Sequence, residues 1–351
     1  MRKDATKALV LQGGGALGAY ELGVARVLYG ERGYAPNLIA GVSIGAISAV
    51  LLARPRKDRS PLETLEAFWK KVMLPADFWL PLFRPYASLF GDPAFFRPRL
   101  DVAALPFWTS LYDTTPLRET LKELVDLDAL KDPEAWPQLL VTATSIEDGQ
   151  IVQFDSSDDG LTLDHIIASG SLPPNFPITT IKDKHSKERH YWDGGIFDNT
   201  PLGAVIERMD PRRSAEQKRE IIVVNLFPNK GEVPRNMAEV GQRMLNMLFA
   251  NKTQSDLDLM KAFNNFAGLI DLIATDDRWE ALRGTQQFID ANKGYITVPN
   301  IVDITRTTPA AGTSSGDFTA RAITELAEQG ARDARKRLGG GPADSGERAY
   351  G

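Results

Sequence analysis

Gly41-Val42-Ser43-Ile44-Gly45 places a serine at the centre of a G-x-S-x-G pentapeptide. An apolar run, Leu38 to Val42, precedes it, and an apolar segment with Ala46, Ile47, Val50 and Leu51 follows. A strand that turns sharply into a helix needs small residues two positions either side of the bend. Gly41 and Gly45 meet that need and form the elbow. The serine hydroxyl then points outward over a helix N-terminus, where the macrodipole favours developing negative charge. The chemistry this arrangement suits is nucleophilic attack by Ser43.

Two further segments carry chemistry. Gln12-Gly13-Gly14-Gly15-Ala16-Leu17-Gly18 is a glycine loop between a strand and a helix. Successive amides there can form an anion-binding nest, and in a hydrolase such a nest serves as an oxyanion hole. Gly13, Gly15 and Gly18 also satisfy the dinucleotide pattern G-x-G-x-x-G. That pattern expects a carboxylate at the end of the next strand to hold a ribose hydroxyl. The next strand here ends in Ser43, which counts against a nicotinamide or flavin site. The third segment, Tyr191-Trp192-Asp193-Gly194-Gly195-Ile196, delivers an aspartate into a tight glycine turn. The chain has three histidines, His165, His185 and His190. Each reads as structural, with His165 the strongest candidate for a conventional triad.

The elements around these residues alternate strand and helix. Lys7 to Gln12 reads as a buried strand, Ala16 to Tyr29 as a helix, and Leu38 to Val42 as the second strand. Such alternation predicts a three-layer α/β/α core with a central, mostly parallel sheet. Residues 55–138 are proline-rich and crowded with aromatics, including Phe68, Trp69, Phe78, Trp79, Phe83, Tyr86, Phe90, Phe95, Phe96, Phe107 and Trp108. This reads as a helical insertion, either a packed subdomain or a lid that docks on lipid. Asp113-Thr114-Thr115-Pro116 marks a helix start. Two hairpin-like pairs are expected, 139–144 with 151–154 and 178–181 with 190–192, followed by a strand at 221–226. A long amphipathic helix over 235–273 carries Met244, Leu248 and Phe249 on one side. A strand near 295–304 and a helix near 318–338 follow. The expected organisation is a catalytic domain over 1–228, a mainly helical C-terminal domain over 229–338, and a disordered tail over 339–351.

Composition narrows the classes. Net charge is −5, from 46 acidic and 41 basic residues, with no basic stripe to suit nucleic acid. The short basic run of Arg54, Arg56, Lys57 and Arg59 reads as a solvated helix end. With no cysteine, disulfides and thiolate metal sites are excluded, and no other metal signature is present. The N-terminus lacks a signal-peptide pattern and no apolar run is long enough to cross a bilayer. The expected location is cytoplasmic, with any membrane contact peripheral. No oligomeric state is specified by the sequence.

Taken in order, the glycine loop, G-x-S-x-G and the later Asp-Gly-Gly resemble the patatin-like phospholipase family. Ala168-Ser169-Gly170-Ser171-Leu172-Pro173 is similar to that family's small-residue and proline motif. Residues 191–202 and the C-terminal part resemble a bacterial subgroup with an extra domain of unknown function. The resemblance implies a Ser–Asp dyad without histidine: Ser43 as nucleophile, Asp193 as base, and Gly13, Gly14 and Gly15 as oxyanion donors. It implies a lipid or other acyl-ester substrate and needs no metal or organic cofactor. Many relatives carry a basic residue in the glycine loop, where this chain has Ala16-Leu17. The same dyad would also serve a short-chain ester, a thioester or an intracellular polyester. A scaffold or regulatory module that keeps the hydrolase fold is the non-enzymatic alternative.

Overall fold

The computed structural model describes residues 5–74, 91–101, 107–209, 219–228, 230–235, 237–293, 298, 300–307 and 315–339. Its first half alternates as the sequence predicts. β1 (Lys7–Leu11) leads through the glycine loop to α1 (Ala19–Ala25), and β2 (Leu38–Gly41) to α2 (Ile44–Ala53). All ten residues of α2 are buried, so this helix lies inside the layered core. α3 (Pro61–Val72) starts with a capping box, in which Ser60 Oγ accepts the Glu63 N–H and Glu63 returns the bond, with Pro61 in its first turn.

The short hairpin strands β3 (Arg97–Pro98) and β4 (Tyr112–Asp113) precede α4 (Thr115–Leu124) and α5 (Leu127–Lys131). Then come β5 (Gln138–Ser145), β6 (Gln150–Asp155), α6 (Ser156–Asp159), α7 (Leu163–Ser169), β7 (Thr179–Lys182) and β8 (Glu188–Asp193). The chain continues through α8 (Leu202–Ile206), β9 (Glu220–Asn225), α9 (Met237–Thr275), α10 (Glu280–Arg283), α11 (Gln286–Lys293), β10 (Asn300–Thr305) and α12 (Ala320–Gly339).

Eight strands form one sheet in the order β10-β9-β1-β2-β5-β8-β7, with β6 also paired to β5. The five strands from β10 to β5 run parallel. β6, β8 and β7 are antiparallel to their neighbours. The fold is therefore the expected mostly parallel sheet flanked by helices. Both expected hairpin pairs are present, as β5–β6 and β7–β8. The strand expected near 295–304 is β10, and it adds an edge to this same sheet beside β9.

The register of β5 is decisive for the site. β6 covers one edge of β5 from Leu140 to Ser145. β2 covers the other edge from Gln138 to Val141, where Gly41 opposes Val141. β8 pairs with Ala143 to Ser145, so it must share β2's edge, just past the end of β2. Asp193 opposes Ala143 there. The end of β2 and the end of β8 thus face each other along one strand.

One expectation needs correction. Arg54 is not part of a solvated basic end. It is buried, and its guanidinium donates to the carbonyls of Ala53, Ala129, Ala135 and Pro137 at 2.7–3.1 Å. Burial pushes its pKa down to about 10. Only Arg56 and Lys57 of that run are exposed. On α9, Met244 and Leu248 sit on a side that is largely open, whereas Ala250, Leu257 and Met260 are buried. In the aromatic region Phe68, Trp69, Phe95 and Phe96 are buried and Phe107 is exposed, while Phe78, Trp79, Phe83, Tyr86 and Phe90 lie outside the described residues.

The C-terminal helix closes the fold against the first one. A Cβ at Gly23 of α1 would overlap the Ala327 carbonyl of α12, and one at Gly330 would overlap the Tyr20 carbonyl. These overlaps involve backbone, which cannot swing aside. Gly23→Ala is therefore expected to cost about 1–3 kcal/mol. A urea midpoint equal to that of the wild type would show that α12 does not need this close approach.

Candidate active site

The turn after β2 holds Ser43 at φ 54°, ψ −122°, a backbone conformation that side-chain-bearing residues rarely adopt. The bend brings chain segments too close for a Cβ on either side. At Gly41 it would overlap the Gly45 carbonyl, and at Gly45 the Leu11 carbonyl. Ser43 heads α2, so its side chain lies at the positive end of a ten-residue helix.

Asp193 ends β8 and is buried. The Ser43 hydroxyl stands near enough to its carboxylate to favour the charged form. Asp193 Oδ1 also accepts the Gly195 N–H at 2.7 Å. Its backbone is pinned as well: the N–H donates to the Ser171 carbonyl at 3.0 Å, and the carbonyl accepts from Thr144 Oγ1 at 2.9 Å. Burial pushes the carboxyl up to about 6, against the lowering effect of Ser43 and of the Gly195 amide.

The glycine loop lies against the same point. A Cβ at Gly13 would come within 3.1 Å of the Ser43 Cβ. One correction applies to the three glycines expected as donors. The Gly13 N–H donates to the Asn199 carbonyl at 3.2 Å, while Asn199 Nδ2 donates back to the Gly13 carbonyl at 2.9 Å. The Ala16 N–H is taken by the Ser315 carbonyl at 2.8 Å. The amides of Gly14 and Gly15 lie between these two anchored points and are the loop's candidate donors. Gly15 has φ +59°, which turns successive amides inward.

Gln12, fully buried, ties the loop to its surroundings. Its Nε2 donates to Thr200 Oγ1 at 3.0 Å, and its Oε1 accepts the Leu226 N–H at 2.7 Å. Gln12 adjoins the glycine loop and Asn199 follows the Asp-Gly-Gly turn by four residues, but nothing near either one in the sequence names its partners. Their roles depend on partners about 190–210 residues away.

Ser43, Asp193 and the three glycines open onto a cavity of about 610 Å³. Phe95, Phe96, Leu117, Phe176 and Phe318 are among its lining residues. Among the described residues the lining holds one carboxylate, Asp193, and no lysine, arginine or histidine. Phe318 packs between Trp69 and Phe95, with ring centroids 6.5 and 5.2 Å away. Phe227, Leu248, Phe249 and Ser315 also reach the cavity, so chain beyond residue 220 helps build it.

No histidine takes part among the described residues. His165 Nδ1 accepts the Thr162 N–H at 2.9 Å and caps α7. Burial pushes its pKa down to about 4, so the ring is neutral. His190 pairs with Glu147 at 2.6 Å on the surface, and His185 sits in the β7–β8 turn.

The family model for patatin-like phospholipases matches residues 9–206, more than half of the 351 residues. The chain belongs to the patatin-like phospholipase family. It is 25% identical over 239 residues to an uncharacterized protein of Acanthamoeba polyphaga mimivirus, covering 56% of this chain and 62% of that one. It is also 25% identical over 247 residues to patatin-like phospholipase domain-containing protein 6 of Mus musculus, covering 68% of this chain and 17% of that one. The chain thus spans less than two thirds of either relative. Among solved structures, VipD of Legionella pneumophila aligns with a TM-score of 0.44 at 15% identity, over 95% of this chain and 67% of that one. ExoU, solved with SpcU from the type III secretion system of Pseudomonas aeruginosa, aligns with a TM-score of 0.37 at 16% identity, over 96% and 52%.

The raised Asp193 carboxyl has a consequence for stability. The folded protein binds this proton more tightly than the unfolded chain does. Between about pH 3.8 and about pH 6, the Asp193 contribution to stability therefore falls as pH rises. Asp193→Asn removes that slope. At pH 8 the variant should unfold at an equal or higher urea concentration than the wild type, with its advantage shrinking toward pH 4. A wild type more stable than the variant at pH 8 would contradict the burial account.

Proposed function

We propose that the protein is a serine-dependent lipid acyl hydrolase working through a Ser43–Asp193 dyad. The observation that carries this reading is the meeting of Ser43 with a buried Asp193 carboxylate, whose charged form Ser43 favours, at the wall of an apolar cavity beside the glycine loop. In the proposed reaction the substrate's acyl chain lies among Phe95, Phe96, Phe176 and Phe318. Asp193, ionised at neutral pH, takes the Ser43 proton as Oγ bonds to the acyl carbonyl carbon. The carbonyl oxygen becomes an oxyanion held by the amides of Gly14 and Gly15. As it collapses, the ester C–O bond breaks and the alcohol leaves with the proton from Asp193. Water, deprotonated by the same carboxylate, then attacks the acyl-serine, and the fatty acid and free Ser43 are regenerated. Phospholipase A, lysophospholipase and general esterase substrates all fit this sequence of steps.

A fluorophosphonate should label Ser43, as mapped by peptide mass spectrometry. Ser43→Ala should abolish fatty-acid release, and Asp193→Asn should lower it by at least about 100-fold. In the wild type the rate should rise with pH through about 6, as Asp193 ionises. Unlabelled protein, alone and with lipid micelles, would favour the scaffold reading instead.

We further propose that the cavity mouth meets a lipid surface. Leu172, Ile196, Phe197 and Leu248 belong to the cavity lining, yet each is between 40% and 60% exposed. Val240, Met244, Met247 and Leu248 follow i, i+4, i+7, i+8 spacing, so α9 carries an exposed apolar stripe up to that mouth. The occupant that suits a collar continuous with an acyl-chain cavity is the apolar surface that supplies acyl chains. Replacing both Met244 and Met247 with Glu should weaken sedimentation with phosphatidylcholine vesicles at least about tenfold. Hydrolysis of a water-soluble short-chain ester should be unchanged. Equal vesicle binding, or loss of a concentration-dependent dimer in its place, would remove the lipid-surface role.

A further inference from the structure

The last residue of α7 and the loop that follows it touch both members of the proposed dyad. Ser169 Oγ accepts the Ser43 N–H at 3.0 Å. Two residues on, the Ser171 carbonyl accepts the Asp193 N–H at 3.0 Å. Gly170, between them, faces the Ser43 backbone: a Cβ there would lie 4.0 Å from the Ser43 Cα. Ser169 and Ser171 are both buried. The loop is itself fixed, because Ser171 Oγ donates to the Ile167 carbonyl at 3.0 Å and shares a hydrogen bond with Thr179 Oγ1 at 2.8 Å.

The Ser43 amide has a particular need for a partner. Ser43 precedes the first turn of α2, so its N–H has no acceptor within the helix. Its backbone is also held at φ 54°. Neighbouring amides find backbone carbonyls: the Val42 N–H bonds to Leu11 and the Gly45 N–H to Val42. Ser43 alone of these uses a side chain, from a different element 126 residues away.

We infer that Ser169 is a positioning residue for the nucleophile, and that the loop Ser169–Ser171 sets the spacing between Ser43 Oγ and the Asp193 carboxylate. This rests on the Ser–Asp reading above. One three-residue segment then gauges two strand ends that are far apart in sequence. Ser171 acts through its backbone carbonyl, which substitution leaves in place. Ser169 acts through its side chain, so Ser169 is where the inference can be tested.

The experiment is the second-order rate of fluorophosphonate labelling at Ser43 as a function of pH, with kcat and KM for a soluble short-chain ester. Ser169→Ala should lower the labelling rate and kcat by about 10- to 100-fold with KM unchanged, since a misaligned attack loses rate and not affinity. The pH midpoint should stay at the wild-type value, because the burial of Asp193 is untouched; a general loosening of the site would move it. Ser169→Thr, which restores a hydroxyl, should recover most of the rate. A labelled wild type together with Ser169→Ala labelling at the same rate would overturn the inference, as would a shifted midpoint. An unlabelled wild type would fail the Ser–Asp reading itself, a distinct result. Should Ser169→Ala not fold, Ser169→Cys keeps the volume with a weaker acceptor: slowed labelling supports the inference and wild-type labelling overturns it.

Discussion

The strained backbone of Ser43 is the constraint on which the rest of the site depends. Holding a non-glycine residue at positive φ costs on the order of 1–3 kcal/mol, and such a conformation persists only where its surroundings over-determine it. Here they do so from three sides. Gly41 and Gly45 let β2, α2 and the end of β1 approach without a Cβ between them. The completely buried α2 anchors the outgoing chain. The incoming amide is tied to Ser169 at the end of α7. Relaxing Ser43 to an ordinary helical conformation would swing its hydroxyl away from Asp193 and leave a buried N–H unpaired.

That constraint explains why the sheet changes character where it does. A parallel β2 delivers Ser43 at its C-terminal end, beyond Gly41. A partner residue must then come from whatever occupies the edge of β5 just past that end. Another parallel strand would have to start there and would present only its N-terminus. β8 runs antiparallel, so its C-terminal end arrives at Ala143 with Asp193 as the last residue. The reversal from parallel to antiparallel pairing is thus the means by which two strand ends meet head to head. The β7–β8 hairpin and the loop after α7 follow from bringing the chain back to run β8 in that direction.

Much of this was legible in the sequence because it is local. The G-x-S-x-G between strand and helix and the glycine triplet after β1 each carry their reason within a few residues. The hairpin pairs do as well, since Glu147-Asp148-Gly149 and the polar stretch 182–189 declare their turns. What was not legible depends on partners distant in sequence. Nothing near Gly13 says that its amide is committed to Asn199, which is why three donors were expected where two are free of other anchors. Arg54 reads as one of four basic residues after a helix; only the fold supplies the carbonyls of Ala129, Ala135 and Pro137 that hold it inside. That the apolar side of α9 is exposed was not legible for a related reason. Helical periodicity identifies an apolar stripe but not whether protein or something else covers it.

Two buried carboxylates show how finely the site is tuned. Glu21 on α1 is as buried as Asp193, and burial pushes it up to about 8, so at neutral pH it packs mainly as an uncharged acid. Asp193 is also raised chiefly by burial but reaches only about 6, with Ser43 and the Gly195 amide favouring its charged form. A carboxyl like Glu21 would spend most of its time protonated and would have no capacity to accept the serine proton. A fully solvated aspartate would be ionised but too weak a base to take it. The turn at Gly194-Gly195 places Asp193 between these limits. The neutral ring of His165 stays at its helix cap, and no histidine lines the cavity among the described residues. In the proposed dyad the accepting oxygen is supplied by strand geometry, and its basicity is set by burial against the lowering effect of the Gly195 amide.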